Sequence, residues 1–401
     1  MKRIGIHTII DYVNYGNRLQ NYATQEILKS LGFEVESIVN YPTKPIEAGL
    51  AFTLTRIRNA VKLSPFTLIK KAWQKIIERK KLALYQACQR AKALSFKTFS
   101  DKYITESDYV LTLSNIPENL NQRYDFCIVG SDQIWNPNIR YGSSLDFLSY
   151  VSPEKRIALA PSIGVSVIPE IYTEKYKQYL NDMAYLSVRE EKGAEIIQKL
   201  TGRKAEILVD PTLVLKSEDW SKIATPSKNK PTNKYLLTYF IGEVSTKRIK
   251  TLRKMAVDNQ LELVMMNSLR DTDRYAADPA EFLDYIRSAS LVCTDSFHCI
   301  IFSMHFKSPF VVFDREGKSA PMGSRIDTLL GKFRFEGRKQ HLLEKTDKYF
   351  DIDFKHVPSI MEMERKKVYD FLTIALEFKV KGQNDDKISI NNGEALLSRS
   401  K

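Results

Sequence analysis

A chain of 401 residues with 43% hydrophobic content is too long for one ordinary core, so two globular domains are the default. No run of about 18 apolar residues occurs, which excludes a membrane-spanning helix. The formal net charge of +13 sits mostly in residues 56–102, where thirteen Lys and Arg face only Glu78 and Asp101; that localisation, with no nucleic-acid-binding motif, excludes a general nucleic-acid surface.

From the amino end, Met1–His7 begins a first strand rather than a signal peptide, and Ile4–Ile10 reads as that strand. Asn17–Leu31 reads as a helix with Gly32 as its stop, and Glu34–Val39 as a second strand. Residues 66–99 read as one or two amphipathic helices with Phe66, Ile69, Trp73, Ile76 and Ile77 on one stripe. Phe126–Val129 is a short apolar strand ending at Gly130. Arg156–Ala160, Met183–Val188 and Ile207–Val209 are further strands, with a helix over Glu190–Leu200. The polar stretch 216–233 reads as a linker or surface loop. A second series follows: strands Tyr235–Ile241, Leu261–Met266, Leu291–Thr294 and Phe310–Phe313, and helices near Thr246–Asp258, over Pro279–Ser288 and from Phe297. Met361–Phe378 reads as a closing helix and 381–401 as a mobile tail. Alternating strands and helices imply parallel sheets covered by helices. The expected division is a lobe over 1–185, a second over 186–380, and the tail. Cys88, Cys127, Cys293 and Cys299 show no CxxC and no metal-ligand spacing, so no metal is expected, and a reducing cytoplasm is the simplest compartment.

Ligands in open α/β sheets sit outside the carboxyl ends of the strands. The cluster Ser131, Asp132, Gln133, Trp135 and Asn136 directly after Phe126–Val129 therefore looks built for recognition: Trp135 offers a flat apolar face and its neighbours offer donors and acceptors, a combination suited to a sugar. Asn17, Arg18 and Gln20 follow the first strand in the same way, although Asn17 equally fits a helix cap. Asp132 reads equally as a proton acceptor for a sugar hydroxyl or as a turn cap. There is no GxSxG, no GxxxxGK[ST] and no HExxH.

The run Gly130-Ser131-Asp132-Gln133-Ile134-Trp135-Asn136 resembles the signature of the polysaccharide pyruvyl transferase family. Asn14–Ala23, Ser187–Glu190 with Val209–Thr212 downstream, and Thr294–His298 resemble the family's other motifs in the same order. The resemblance implies two Rossmann-like doubly wound α/β lobes facing a cleft, as in the glycosyltransferase type B architecture. It also implies transfer of a pyruvyl group from phosphoenolpyruvate, a co-substrate with no further cofactor, onto two hydroxyls of a saccharide during envelope, capsule or exopolysaccharide synthesis.

That chemistry needs cations for a phosphate and a carboxylate, an acid to protonate the methylene carbon, and an acceptor for the hydroxyl proton. His298, at the opening of a helix after Leu291–Thr294, is the best acid–base residue, with Asp132 as its partner in catalysis. Arg189 ends the strand Met183–Val188 and suits the donor's phosphate or carboxylate, with an ion pair to Glu190, Glu191 or another acid as the alternative. His305 lies about 10 Å further along the helix and reads as structural. Some family members carry Arg-Leu-His where this chain has Ser296-Phe297-His298; Ser296 brings no charge, so Arg325 is the expected substitute on the donor side. Asn17, Arg18, Gln20, Ser131, Gln133, Trp135 and Asn136 are expected on the acceptor side, and Asp210-Pro211-Thr212 as a structural turn. The basic segment 66–99 reads first as a helix packed on its own domain, and second as a peripheral contact with anionic lipid or a lipid-linked acceptor at the inner face of the membrane. The alternatives are a nucleotide-sugar glycosyltransferase of the same architecture and a catalytically silent saccharide-binding relative.

Overall fold

The computed structural model describes residues 1–41, 65–317, 323–344 and 348–376, without the side chains of 65–78, 323 and 324. The expected tail 381–401, residues 56–64 of the basic segment, and the apolar stripe Phe66–Ile77 as side chains lie outside the described residues.

Two parallel sheets carry the fold. The first has seven strands: β1 (Arg3–His7), β2 (Glu34–Asn40), β3 (Glu106–Leu111), β4 (Phe126–Val129), β5 (Arg156–Ala158), β6 (Tyr185–Val188) and β7 (Glu206–Ile207), in the order β3-β2-β1-β4-β5-β6-β7. The second has four: β8 (Tyr235–Tyr239), β9 (Glu262–Met266), β10 (Leu291–Thr294) and β11 (Phe310–Val312), in the order β11-β10-β8-β9. Each order reverses once, between β1 and β4 and between β8 and β10, so each lobe is doubly wound and has a crevice at that reversal. Among the described residues, the helices of eight or more residues are α1 (Tyr15–Ser30), α2 (Pro65–Tyr103), α3 (Glu170–Asn181), α4 (Glu191–Thr201), α5 (Thr246–Asp258), α6 (Pro279–Ser288), α7 (Phe297–Phe306), α8 (Gly323–Lys332) and α9 (Val357–Ala375).

The departures from expectation have physical reasons. The first sheet continues past the expected lobe boundary at 185/186, because β6 pairs onto β5 and β7 onto β6. β3 is a half-exposed edge strand containing Glu106 and Asp108, so it lacks the apolar run that marks the interior strands. Residues 216–233 are more than a linker: Ser217–Ile223 is helical and buries Trp220 completely, its ring 5.7 Å from Tyr22 and 4.9 Å from Phe302. α1 starts two residues before expectation, with Asn14 accepting the Asn17 N–H as its cap.

The lobes share a core. Leu19, Ile27 and Phe96 belong to the same apolar cluster as Leu237, Phe282 and Ile300. Tyr15, fully buried at the first position of α1, joins them: its ring stacks on Phe282 at 4.1 Å and meets Tyr239 at 5.3 Å, and its hydroxyl donates to the Ala277 carbonyl at 2.8 Å. α9 then returns from the second lobe, where Arg365 Nε donates to the Val214 carbonyl at 2.6 Å.

Because Tyr15 is an aromatic side chain in a closed core, Tyr15→Ala is expected to cost about 3–5 kcal/mol of unfolding free energy in urea titration. A loss below about 1 kcal/mol would mean that the lobes are not held together there.

Candidate active site

The carboxyl end of β4 is shaped by a glycine. Gly130 has φ of +125°, and a Cβ on it would stand 2.1 Å from the Leu159 carbonyl oxygen, so no side chain fits. The chain behind it turns inward. Ser131 Oγ lies 2.9 Å from the Ala160 carbonyl oxygen and 3.1 Å from Asp210 Oδ2, with one proton to share between them. Asp132, at φ of +59°, keeps its carboxylate part-exposed and 3.8 Å from Arg189.

Most of the residues expected to recognise a sugar are used inside the protein. Trp135 is fully buried, stacked on Phe147 at 5.2 Å, and its indole N–H donates to the Asp146 carbonyl at 2.8 Å, so its face is closed to a ligand. Arg18 is fully buried in an ion pair with Glu106 at 2.9 Å. Asn17 accepts the Asp11 N–H, and Gln20 bridges the Thr8 hydroxyl and the Ser131 N–H. Asn136 caps a short helix over Pro137–Arg140 and donates to Gln133 Oε1 at 2.7 Å. The reason is common to all: where a parallel sheet reverses its order, many backbone groups leave the ladder, and buried ones need partners. Ser296 follows the same rule, capping α7 by accepting the Cys299 N–H. His305, fully enclosed, sits 2.8 Å from the Thr212 carbonyl and 3.1 Å from the Ser217 hydroxyl, and burial pushes it down to about 4.

A different set converges. Asp210, fully buried just beyond β7, was expected only as a turn. Its Oδ1 does cap that turn, accepting the N–H and hydroxyl of Thr212. Its Oδ2 accepts from Arg189 Nη1 at 2.6 Å and lies 3.5 Å from His298 Nε2. Thus β6, the segment after β7 and the start of α7 meet at one carboxylate. Burial alone would raise that carboxyl, but His298, Arg189 and the Thr212 N–H outweigh it and hold it well below the usual carboxylate range.

His298 reaches this point only because α1 begins with a glycine at its second position. A Cβ on Gly16 would stand 2.0 Å from His298 Nδ1. Arg189 rests 4.8 Å from the Phe297 ring. Beside it, Glu190 Oε1 accepts from the Ser162 hydroxyl and the N–H groups of Ile163 and Gly164, fixing the loop after β5. Arg325 of α8 joins Arg189, Asp210 and Phe297 around a gap of about 30 Å³, and burial beside Arg189 pushes its guanidinium down to about 10, still cationic at neutral pH. Among the described residues, Arg189 Nε and Nη2, Glu190 Oε2 and His298 Nε2 are buried here without a hydrogen-bond partner. Such orphaned groups are few in folded proteins, and their gathering at one place makes this the candidate site.

The structure therefore brings Arg189, His298, Asp132 and Arg325 together and leaves Arg18 apart, on Glu106. The residue that sequence reasoning missed is Asp210; its signal was its place inside Val209–Thr212, one of the ordered motifs.

The chain belongs to the polysaccharide pyruvyl transferase family: the family model matches residues 14–317. No curated protein matches it. Among solved structures it is similar to MnaA of S. aureus with UDP, at 12% identity, 96% of this chain and 100% of that one, TM-score 0.49. It is also similar to the UDP-GlcNAc 2-epimerase of Methanocaldococcus jannaschii, at 12% identity over 92% and 100% with TM-score 0.48. The glycosyltransferase SnogD of Streptomyces nogalater follows at 9% identity over 94% and 99%, TM-score 0.40.

Removing one partner from a buried charge cluster leaves the others uncompensated, so Asp210→Asn is expected to lower unfolding free energy by about 3–5 kcal/mol. The sign with pH follows from the depressed carboxyl: its stabilisation is complete above the ordinary value of 3.8 and fades as the pH falls below it. Urea midpoints for both chains should accordingly converge on acidification; a constant gap would remove Asp210 from this role.

Proposed function

We propose that this chain transfers the pyruvyl group of phosphoenolpyruvate to two hydroxyls of a saccharide, forming a cyclic ketal and releasing phosphate. The observation that supports it best is the pair of guanidiniums, Arg189 and Arg325, beside orphaned donors and His298. Phosphoenolpyruvate carries two anionic groups, and two planar forks suit them. Arg325 thus supplies the cation that Ser296 lacks.

In this reading His298 gives a proton to the methylene carbon, leaving an oxocarbenium-like carbon at the former enol position. One sugar hydroxyl attacks that carbon and Asp132 takes its proton. The C–O bond to phosphate breaks, phosphate leaves with the bonding electrons, and the second hydroxyl closes the ring and gives its proton to the imidazole of His298, which is thereby restored. Asp210 orients His298 and holds Arg189 in place. The gap between the arginines holds roughly one water, so the donor must displace part of its wall, where Arg325 and Lys332 of α8 and Phe297 of α7 are half-buried.

The same reading places the work on envelope saccharides. Among the described residues no helix is long and apolar enough to cross a membrane. On α2, exposed Arg79, Lys80 and Lys81 adjoin exposed Leu82 and Leu84, which suits a peripheral approach to anionic lipid or a lipid-linked acceptor.

Incubation with labelled phosphoenolpyruvate and a panel of lipid-linked or nucleotide-activated sugars should release phosphate and yield an acid-labile ketal. Release of a nucleoside diphosphate from a sugar donor, with phosphoenolpyruvate untouched, would replace this reading by a glycosyltransferase; binding without turnover would leave a silent relative. His298→Ala should lower kcat by about 10²–10⁴ with the circular dichroism spectrum unchanged, as for a lost general acid. Gly16→Ala should have the same phenotype, since its Cβ takes the imidazole's place; full activity in that variant would exclude the observed His298 position from catalysis.

A further inference from the structure

The residues expected to hold the acceptor are mostly walled into the first lobe, so the sugar needs another place. A cavity of about 370 Å³ lies between α2 and the carboxyl ends of β8 and β9, within the size range of small-molecule sites. It opens at the end of the second sheet from which His298 also comes. Its floor is tied to that end directly: the N–H groups of Ile241 and Gly242 donate to Asp295, three residues before His298, at 2.7 and 3.0 Å.

Its lining is built from paired aromatics and polar groups. Gln89 of α2 donates to the hydroxyls of Tyr85, at 2.9 Å, and Tyr275, at 3.0 Å, and so fixes one ring from each side of the opening. Tyr85 is 44% exposed, which leaves ring surface for a ligand, whereas Tyr275 is buried. Asn267, at φ of +59°, closes the back wall, and its Oδ1 accepts from Lys92 Nζ at 3.0 Å. Lys92 is almost wholly buried behind that wall, 4.4 Å from the Tyr15 ring and 5.6 Å from that of Tyr275. It joins the pocket wall to Tyr15, the neighbour of the Gly16 against which His298 lies.

Glu243 and Arg270 are the charged residues lining the pocket, one of each sign. A balanced lining with aromatic surface suits a neutral, hydroxyl-rich ring: its C–H face packs on tyrosine and its hydroxyls bond to the carboxylate and guanidinium. A diphosphate would need an excess of cations, which this wall lacks.

We propose that this pocket is the saccharide-binding site and presents the acceptor sugar toward His298. The word acceptor rests on the transferase reading above; the binding of a sugar does not.

The test is saturation-transfer NMR on the full chain, with the methyl glycosides of galactose, mannose and N-acetylglucosamine as probes and uridine diphosphate as the contrast. At least one glycoside should receive saturation at its ring protons, and Tyr85→Ala and Arg270→Ala, both surface changes, should weaken its binding about ten-fold, the size of one lost aromatic contact. In an active preparation, Tyr85→Ala should raise KM for the saccharide and leave KM for phosphoenolpyruvate unchanged. Transfer to none of the glycosides, to uridine diphosphate alone, or equally in wild type and both variants overturns the site. Glycoside binding through Tyr85 without phosphate release from phosphoenolpyruvate upholds this pocket and sinks the transferase reading instead. Turnover unaffected by either variant does the reverse.

Discussion

The amino end of α1 is the constraint on which the rest depends. By chain order α1 belongs to the first lobe, since it links β1 to β2. By packing, its first residue belongs to the second, because Tyr15 is stacked on Phe282 and hydrogen-bonded to Ala277. The next residue, Gly16, meets the imidazole of His298 with no side chain between. One helical turn thus fixes the position of the second lobe against the first and the position of the histidine against Asp210. A glycine inside a helix costs about 1 kcal/mol relative to alanine, and here the cost is offset by a contact no larger residue permits.

The charge arrangement around Asp210 is the second element. A buried carboxylate, two guanidiniums and an imidazole would be unstable without mutual compensation. Asp210 compensates Arg189 directly and is itself held by Thr212. Glu190 and Asp132 lower the repulsion that Arg325 feels from Arg189. Hydrogen bonding is less complete than charge pairing, since Arg189 Nε and Glu190 Oε2 are buried without a hydrogen-bond partner. The network thus keeps both donor and acceptor capacity beside a gap of about 30 Å³.

The fold was largely legible in the sequence because parallel strands buried on both faces announce themselves as short apolar runs. Phe126–Val129 and Leu291–Thr294 were read to the residue. β3 was hidden because an edge strand carries charge on its open face. The site was legible in part. Arg189 and His298 stand at strand ends, where position alone suggests a role. Trp135 stands there too, yet a single sequence cannot say which way a side chain points after a turn, and this one points into the core beside Phe147. Asp210 escapes a local reading for the opposite reason. Its turn-capping pattern with Thr212 is real, and nothing local reveals that its second oxygen faces another lobe. Contacts such as Asp210 to His298 or Tyr15 to Phe282 join residues far apart in the chain, and no local pattern encodes them.

The shared core bears on how such proteins can be recombined. An exchange of halves between two relatives, cut in the stretch between β7 and β8, would carry Tyr15, Gly16 and α2 with the first half and their sockets with the second. Each chimaera would then meet a foreign socket at Phe282, Ala277 and Asn267, and a foreign imidazole above the glycine. Exchange of whole lobes is thereby expected to disturb the joint. Single substitutions at residues that face an opening without entering the joint, such as Tyr85 and Arg270, leave that joint intact.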